Sequence, residues 1–161
     1  MTSIWISSTA FQDLVHEASR VYPLETGGVL IGYRAENRDI VIMAIIGPGP
    51  RAIHQRRKFT PDHSWQCDQL DAAYDHSSAT FVYLGDWHTH PDGIPQMSWL
   101  DRRTHRAIAR HPQAQTPHPL MLIGGCTPRG WTWLGHIYCG DRLFGALTES
   151  KQVDPRLFQP I

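Results

Sequence analysis

Cysteine is scarce in this chain: there are three, Cys67, Cys126 and Cys139, and none stands in a C-x-x-C spacing. An odd number without paired spacing argues against a disulfide-built fold. It fits a reduced, cytoplasmic protein whose cysteines serve as small buried hydrophobes. An excess of one charge is lacking too, since Lys+Arg and Asp+Glu number 15 each and the formal net charge is zero. A general nucleic-acid binder carries a basic excess, so no nucleic-acid partner is expected. The local run Arg56-Arg57-Lys58 reads as a solvated loop. Long apolar runs are absent as well. The longest, Ile40 to Ile46, is far too short to cross a bilayer, and no membrane partner is expected. Met1 to Asp13 has no basic stretch followed by an apolar one, so no signal peptide is expected. No internal repeat or low-complexity tract stands out.

What is present is an ordinary globular composition, 41% hydrophobic and 19% charged over 161 residues, enough for one domain with one core. Ser3 to Ser7 alternates as a strand does. Thr9-Ala10-Phe11-Gln12 resembles a capping box, and Phe11, Leu14, Val15 and Ala18 at helical spacing predict an amphipathic helix over Ala10 to Arg20, ended by Tyr22-Pro23. Gly27 to Tyr33 and Asp39 to Ile46 read as strands, and Gly47-Pro48-Gly49-Pro50 as a break. Thr60-Pro61 has the form of an N-cap with proline in the first helical position, opening a helix to about Asp75 with Leu70, Ala73 and Tyr74 on one face. Thr80 to Trp87 is an apolar strand, Pro91 to Met97 a loop, and Ser98 to His111 a third helix. Pro119 to Gly124 and Trp131 to Tyr138 form a last strand pair. This mixed order predicts an α/β or α+β domain with helices packed on a central sheet. Arg142-Leu143-Phe144 and Arg156-Leu157-Phe158 in the tail dock on the body or on a partner, or the tail frays.

Histidine is abundant, with 10 residues, so only spacing makes any one of them informative. His88 and His90 stand two apart at the end of a strand, which turns both imidazoles to one face and Thr89 to the other. Two imidazoles on one face can share a divalent metal. A catalytic zinc needs about three protein ligands and an open position for water. Asp101, in the first turn of the third helix, is the candidate third ligand. Each half also has a plainer reading. A His-x-His pair is commonly ordinary surface or core histidine, and Ser98-x-x-Asp101 is a helix start that satisfies exposed N–H groups. Ser98 could cap and act chemically at once, whereas Asp101 is expected to have difficulty capping and ligating together. There is no His-Glu-x-x-His, and no His-x-Glu with Pro-Cys-x-x-Cys, which sets aside two familiar zinc hydrolase patterns. His88-x-His90-x-Asp92 opens like the metallo-β-lactamase pattern, but Gly93 stands where that pattern has histidine.

His88-Thr89-His90-Pro91, then six residues, then Ser98-x-x-Asp101, resembles the JAMM motif of the JAB/MPN+ metallopeptidase family. Pro23-Leu24-Glu25-Thr26-Gly27-Gly28-Val29-Leu30-Ile31-Gly32 resembles the glycine-rich strand before which that family carries its catalytic glutamate. Phe59-Thr60-Pro61-Asp62 with Gln66 is similar to the segment preceding the family's second helix. The likeness runs from about residue 4 to 139. It implies a single JAB/MPN catalytic domain over 1–139 with a tail over 140–161, and a central, mostly antiparallel, curved sheet flanked by helices, cytidine-deaminase-like in form.

The same resemblance implies site roles. His88, His90 and Asp101 would hold Zn2+, with water in the fourth position. Glu25 would be the general base that later passes its proton to the leaving amine, and Ser98 would steady the oxyanion. From the residues alone, Glu25 reads as a solvated residue at a helix-to-strand junction, with Gly27-Gly28 serving only the turn, since nothing local links it to residue 88. Asp86 and Asp92 flank the motif and read equally as groups that orient the histidines or as simply solvated carboxylates. Trp87 and Trp99 could surround the site, and core packing is the default for Trp87. Family likeness implies as substrate a ubiquitin-like protein or its conjugate, cut after the modifier's C-terminal tail. The short form resembles bacterial JAB peptidases of antiviral operons, including CBASS and ubiquitin-like conjugation systems, with E1- and E2-like enzymes as partners. A metal-free MPN-type scaffold, or a JAB hydrolase acting on a sulfur-carrier protein or a small amide, are the alternatives.

Overall fold

The computed structural model describes residues 2–140 and 149–160. Short, nearly continuous apolar runs, such as Val29-Leu30-Ile31, Ile40 to Ile46 and Leu120 to Ile123, build the middle of the sheet, where helices cover both faces. In chain order the elements are β1 (Ile4–Ser7), α1 (Ser8–Val21), β2 (Gly27–Arg34), β3 (Ile40–Ile46), β4 (Ile53–Gln55), β5 (Lys58–Thr60), α2 (His63–His76), β6 (Val82–His90), α3 (Trp99–Arg110), β7 (Leu120–Thr127), β8 (Gly130–Tyr138), β9 (Ser150–Val153) and β10 (Pro155–Phe158). Eight strands form one sheet in the order β10-β1-β3-β2-β6-β7-β8-β9, and β4-β5 is a separate hairpin. Pairing is mixed: β10-β1, β1-β3 and β6-β7 are parallel, and β3-β2, β2-β6, β7-β8 and β8-β9 antiparallel.

The faces sort by side-chain alternation. Ile4, Ile6, Leu30, Ile40, Ile42, Leu84, Trp87, Leu120 and Leu122 fill the side that α1 covers with Ala10, Leu14 and Ala18. On the other side Val29, Ile31 and Ile46 meet Trp65, Leu70 and Ala73 of α2, and Met97, Met121 and Ile123 form a smaller cluster. Helices α2 and α3 share this second side, and β6 runs beneath the gap between them.

Two helix starts differ from the sequence expectation, each for a local reason. Helix α1 is capped by Ser7, not Thr9: the Ser7 hydroxyl accepts from the Ala10 N–H at 3.1 Å and donates to the Met43 carbonyl at 3.0 Å, so the helix begins directly where β1 ends. Helix α2 is capped by Asp62, because Thr60 is held extended opposite Ile53 in the hairpin. The Asp62 carboxylate also receives the Arg51 guanidinium at 3.1 and 3.0 Å. On α2, Leu70 and Ala73 pack inward while Tyr74 is exposed. Cysteine burial differs as well: all three are free, Cys67 and Cys139 are exposed, and Cys126 is half-buried.

In the tail, Arg156-Leu157-Phe158 lies in β10, whose register pairs Arg156 with Trp5 and Phe158 with Ser7; Arg142-Leu143-Phe144 falls outside the described residues. Residues Ser150–Phe158 pair first with β8 and then with β1, so one stretch of chain spans from one margin of the curled sheet to the other. Curling brings Gly135 of β8 against β1, where a Cβ would lie 2.3 Å from Ile4 Cδ1.

The close approach of β2, β3 and β6 is centred on Gly28. A Cβ there would stand 1.9 Å from the Ile46 carbonyl oxygen, which also accepts the Trp87 indole N–H at 3.2 Å. Backbone cannot yield as a side-chain tip can. We therefore expect Gly28→Ala to destabilise the fold by about 2 kcal/mol or more, read as a lowered urea midpoint. A midpoint equal to wild type would show that these strands separate freely.

Candidate metal centre

Strand β6 ends at His90, and the chain crosses by way of α3 to the parallel strand β7. The residues singled out in the sequence gather at this carboxyl end, the usual place for a site in such a unit. His88 and His90 point to the side of α2 and α3, and their Nε2 atoms are 3.1 Å apart. Thr89 points the other way and is fully buried; its hydroxyl accepts from the Thr26 N–H at 3.0 Å and its N–H donates to the Thr26 carbonyl at 2.9 Å.

Asp101 completes the group. Its Oδ1 is 3.1 Å from His88 Nε2 and its Oδ2 is 3.4 Å from His90 Nε2. The same Oδ2 accepts the Ser98 N–H at 2.7 Å, and the Ser98 hydroxyl accepts the Asp101 N–H at 3.1 Å, a reciprocal capping box. Capping and facing the histidines therefore coexist in Asp101, contrary to expectation, because a carboxylate has two oxygens and several lone pairs. The cap turns α3 so that its first turn faces β6. His88, His90 and Asp101 keep 15, 19 and 14% of their side-chain surface exposed, so they are recessed yet reachable.

The donor set suits a metal. His90 Nδ1–H donates to the Ile94 carbonyl at 3.2 Å, so Nε2 is the atom that faces Asp101 and that would offer its lone pair to a metal on losing its proton. The three ligand atoms lie within 4.8 Å of one another. Ligands about 2.0–2.1 Å from a tetrahedral ion stand about 3.3 Å apart, close to the separations seen between these donors. Burial opposes ionisation of Asp101, but hydrogen bonds from His88 and His90 outweigh it and hold its carboxyl well below the usual range. For His90, burial favours the neutral ring, and the bonds to Asp101 and Ile94 overcome it and raise its pKa.

Glu25 reaches this group through sheet register. Gly27 pairs with His88 and Gly28 with Trp87, so Glu25, two residues before Gly27, falls level with His90. Gly27 and Gly28 are thus strand residues packed on β6, not a turn; a Cβ on Gly27 would lie 2.6 Å from the Trp87 carbonyl oxygen and 3.0 Å from His88 Cβ. The Glu25 N–H donates to the Gln55 carbonyl at 2.8 Å, and His54 Nδ1 donates to the Glu25 carbonyl at 2.9 Å, so β4 fixes its backbone. Burial raises the Glu25 pKa, opposed by His90 and His88 and assisted by Asp101 and Asp92. Glu25, His88, His90, Ser98 and Asp101 all line one cleft of about 1280 Å³ between α2 and α3.

The flanking residues have other partners. Asp86 accepts the Tyr83 hydroxyl at 2.9 Å in the cleft floor, and burial raises its pKa to about 6. Asp92 is bound bidentately by Arg56 at 2.8 and 3.1 Å. Among the described residues neither carboxylate bonds a histidine of the site; the carbonyl of Ile94 does that for His90. Trp87 is core. Trp99 is 73% exposed, with the Arg103 guanidinium 5.8 Å from its ring centre.

One supporting residue was not singled out in the sequence. His105, one turn after Asp101 on α3, is buried; its Nε2–H donates to the Pro119 carbonyl at 2.8 Å and its Nδ1 accepts from the Ser150 hydroxyl at 3.2 Å. It ties α3 to the start of β7 and to β9. The i+4 spacing from Asp101 was its signal, hidden by the abundance of histidine.

Residues 7–134 match the model of the family described as prokaryotic homologues of the JAB domain. A protein of Sinorhizobium fredii named probable metalloprotease y4qB is 38% identical over 138 residues, covering 83% of this chain and 84% of that one. A CD-NTase/cGAS isopeptidase of Enterobacter hormaechei is 31% identical over 130 residues, covering 80% and 70%. A protein of Desulfitobacterium hafniense with a known solution structure superposes with a TM-score of 0.69 at 19% identity, covering 98% of this chain and 94% of that one, which supports the fold.

The His105 anchor has a pH signature. Burial, with a small contribution from His136, lowers its pKa to about 4, against the Pro119 bond and Asp101. The unfolded chain, with a pKa near 6.5, then binds the proton more readily, so this contribution is complete above pH ~6.5 and is lost as pH falls towards ~4. The loss is on the order of 3 kcal/mol. We expect urea unfolding of wild type to weaken more between pH 7 and 4.5 than that of His105→Gln, where titrating carboxylates are common to both; parallel losses would remove His105 as the cause.

Proposed function

Since the chain belongs to the prokaryotic homologues of the JAB domain, and is a JAMM-type metallopeptidase, we propose that it is a zinc-dependent isopeptidase that releases a ubiquitin-like modifier from its conjugates. The observation that carries this is the convergence of His88 Nε2, His90 Nε2 and the Asp101 carboxylate at 3.1 to 3.4 Å, with Glu25 in the same cleft. His88, His90 and Asp101 would hold zinc, which when bound supplies Lewis acidity toward a water and the substrate carbonyl.

The remaining steps belong to side chains of this chain. Glu25 takes a proton from the attacking water as the new C–O bond forms at the amide carbon. Its raised pKa suits it to give that proton to the nitrogen as the C–N bond breaks, releasing a free amine and a carboxylate. The Ser98 hydroxyl uses a lone pair for the cap, so its hydrogen remains able to donate to the developing oxyanion. The reading sets the enzyme in the cytoplasm within a bacterial antiviral conjugation system, with E1- and E2-like partners. The support is the likeness to a CD-NTase/cGAS isopeptidase, and a reducing compartment suits three free thiols.

The test uses conjugates of a panel of bacterial ubiquitin-like proteins, with a set of small amides for comparison. Wild type is expected to cleave the conjugate. Glu25→Ala should bind zinc at wild-type stoichiometry and lose activity by at least about a hundred-fold, whereas His88→Ala should lose metal and activity together. Full turnover by Glu25→Ala would remove Glu25 from the mechanism. Stoichiometric zinc in His88→Ala would overturn the ligand assignment, and cleavage of small amides alone would overturn the substrate class.

A further inference from the structure

The basic run Arg56-Arg57-Lys58 is not a remote loop. It spans the turn of the β4-β5 hairpin, whose first strand holds Glu25 in place, so it forms a lip of the cleft. Arg56 is neutralised by Asp92. Arg57 and Lys58 are exposed, and no carboxylate among the described residues lies within ion-pair distance of either. Across the cleft, α3 presents Arg103, which rests on Trp99 through a cation–π contact that steadies the guanidinium without cancelling its charge.

The carboxylates lining the cleft are otherwise engaged: Asp92 by Arg56, Asp86 by Tyr83, and Asp101 by the two histidines. Glu25 and Asp101 would also match a divalent ion held there. The chain as a whole carries no net charge, yet both lips of its cleft are positive. Low-dielectric walls between like-charged lips focus the field on whatever enters.

Resting on the peptidase reading above, we propose that the cleft selects a polypeptide carrying Asp or Glu residues on both sides of the scissile amide, one set meeting Arg57 and Lys58 and the other Arg103. Between the lips the walls are apolar, with Val29, Leu70, Met97 and Ile108. That suits an extended peptide with a few acidic side chains, whereas a nucleic-acid strand brings a phosphate at every unit.

The test measures fluorescence anisotropy on the zinc-loaded, full-length Glu25→Ala protein, which binds without turnover. Labelled peptides of equal length share a central Gly-Gly and differ in flanks of Asp, Ser or Lys. The Asp peptide should bind about ten-fold or more tighter than the Lys peptide and weaken as salt rises from about 50 to about 300 mM. Arg57→Glu with Lys58→Glu, and separately Arg103→Glu, should each erase or reverse the preference while unchanged melting temperatures report an intact fold. Equal binding of the three peptides, insensitivity to salt, or an unmoved preference in either variant would overturn the proposal, as would displacement of the Asp peptide by an equimolar oligonucleotide. The peptidase reading fails separately. Conjugates left uncut by wild type would sink that reading alone, and cut conjugates without a charge preference would sink only this one.

Discussion

The pairing of β2 with β6 is the constraint on which the rest of the structure depends. It joins residues 63 apart in the chain through the reciprocal bonds of Thr26 and Thr89. Once Gly27 faces His88, the carboxylate of Glu25 has one place to be, level with His90. A slip of one residue would turn the histidines into the core and Thr89 toward the cleft. The register is guarded by sterics as well as hydrogen bonds, because only a residue without a Cβ tolerates the carbonyls that crowd Gly27 and Gly28. The site is thus built by the core, and its geometry is as stable as the sheet.

Asp101 shows how a folding device and a chemical group share one side chain. Its cap to Ser98 starts α3, and its other face meets two imidazoles. Burial alone would favour the neutral acid; the histidines reverse this, so the carboxylate is ionised and aimed before any ion arrives. His105 and the carbonyl of Ile94 do the complementary work from behind, one holding the helix and the other a ring. Arrangements of this kind reduce the reorganisation that binding would otherwise require.

Local chemistry was legible in the sequence where the physics is local. Alternation along β6 announced that His88 and His90 share a face, and the spacing of Ser98 and Asp101 announced a helix start. Long-range pairing was not legible: Glu25 came only from family likeness, because no pattern near residue 25 encodes its partner across the sheet. The clasp of Arg56 on Asp92 was hidden for the same reason. Cap positions slipped by two residues at Ser7 and Asp62 where several hydroxyl and carboxylate candidates stand close together, and tertiary partners such as the Met43 carbonyl and Arg51 decided between them. The strands of the tail are short and polar, and their identity lies in the edges they meet.

Those edges give the tail a second meaning. Unpaired strand margins are templates on which other chains can add. Here Ser150–Phe158 covers β8 with one half and β1 with the other, and both halves are only four residues long. Ser150 also reaches His105, Glu149 pairs with Arg106, and Gln152 with Gln96, in the loop between β6 and α3. Solubility and site geometry are therefore inherited from the same few residues. Damage to that segment would leave a protein both prone to self-association and slack at its histidine–aspartate cluster, so the two defects should travel together through any family of tail variants.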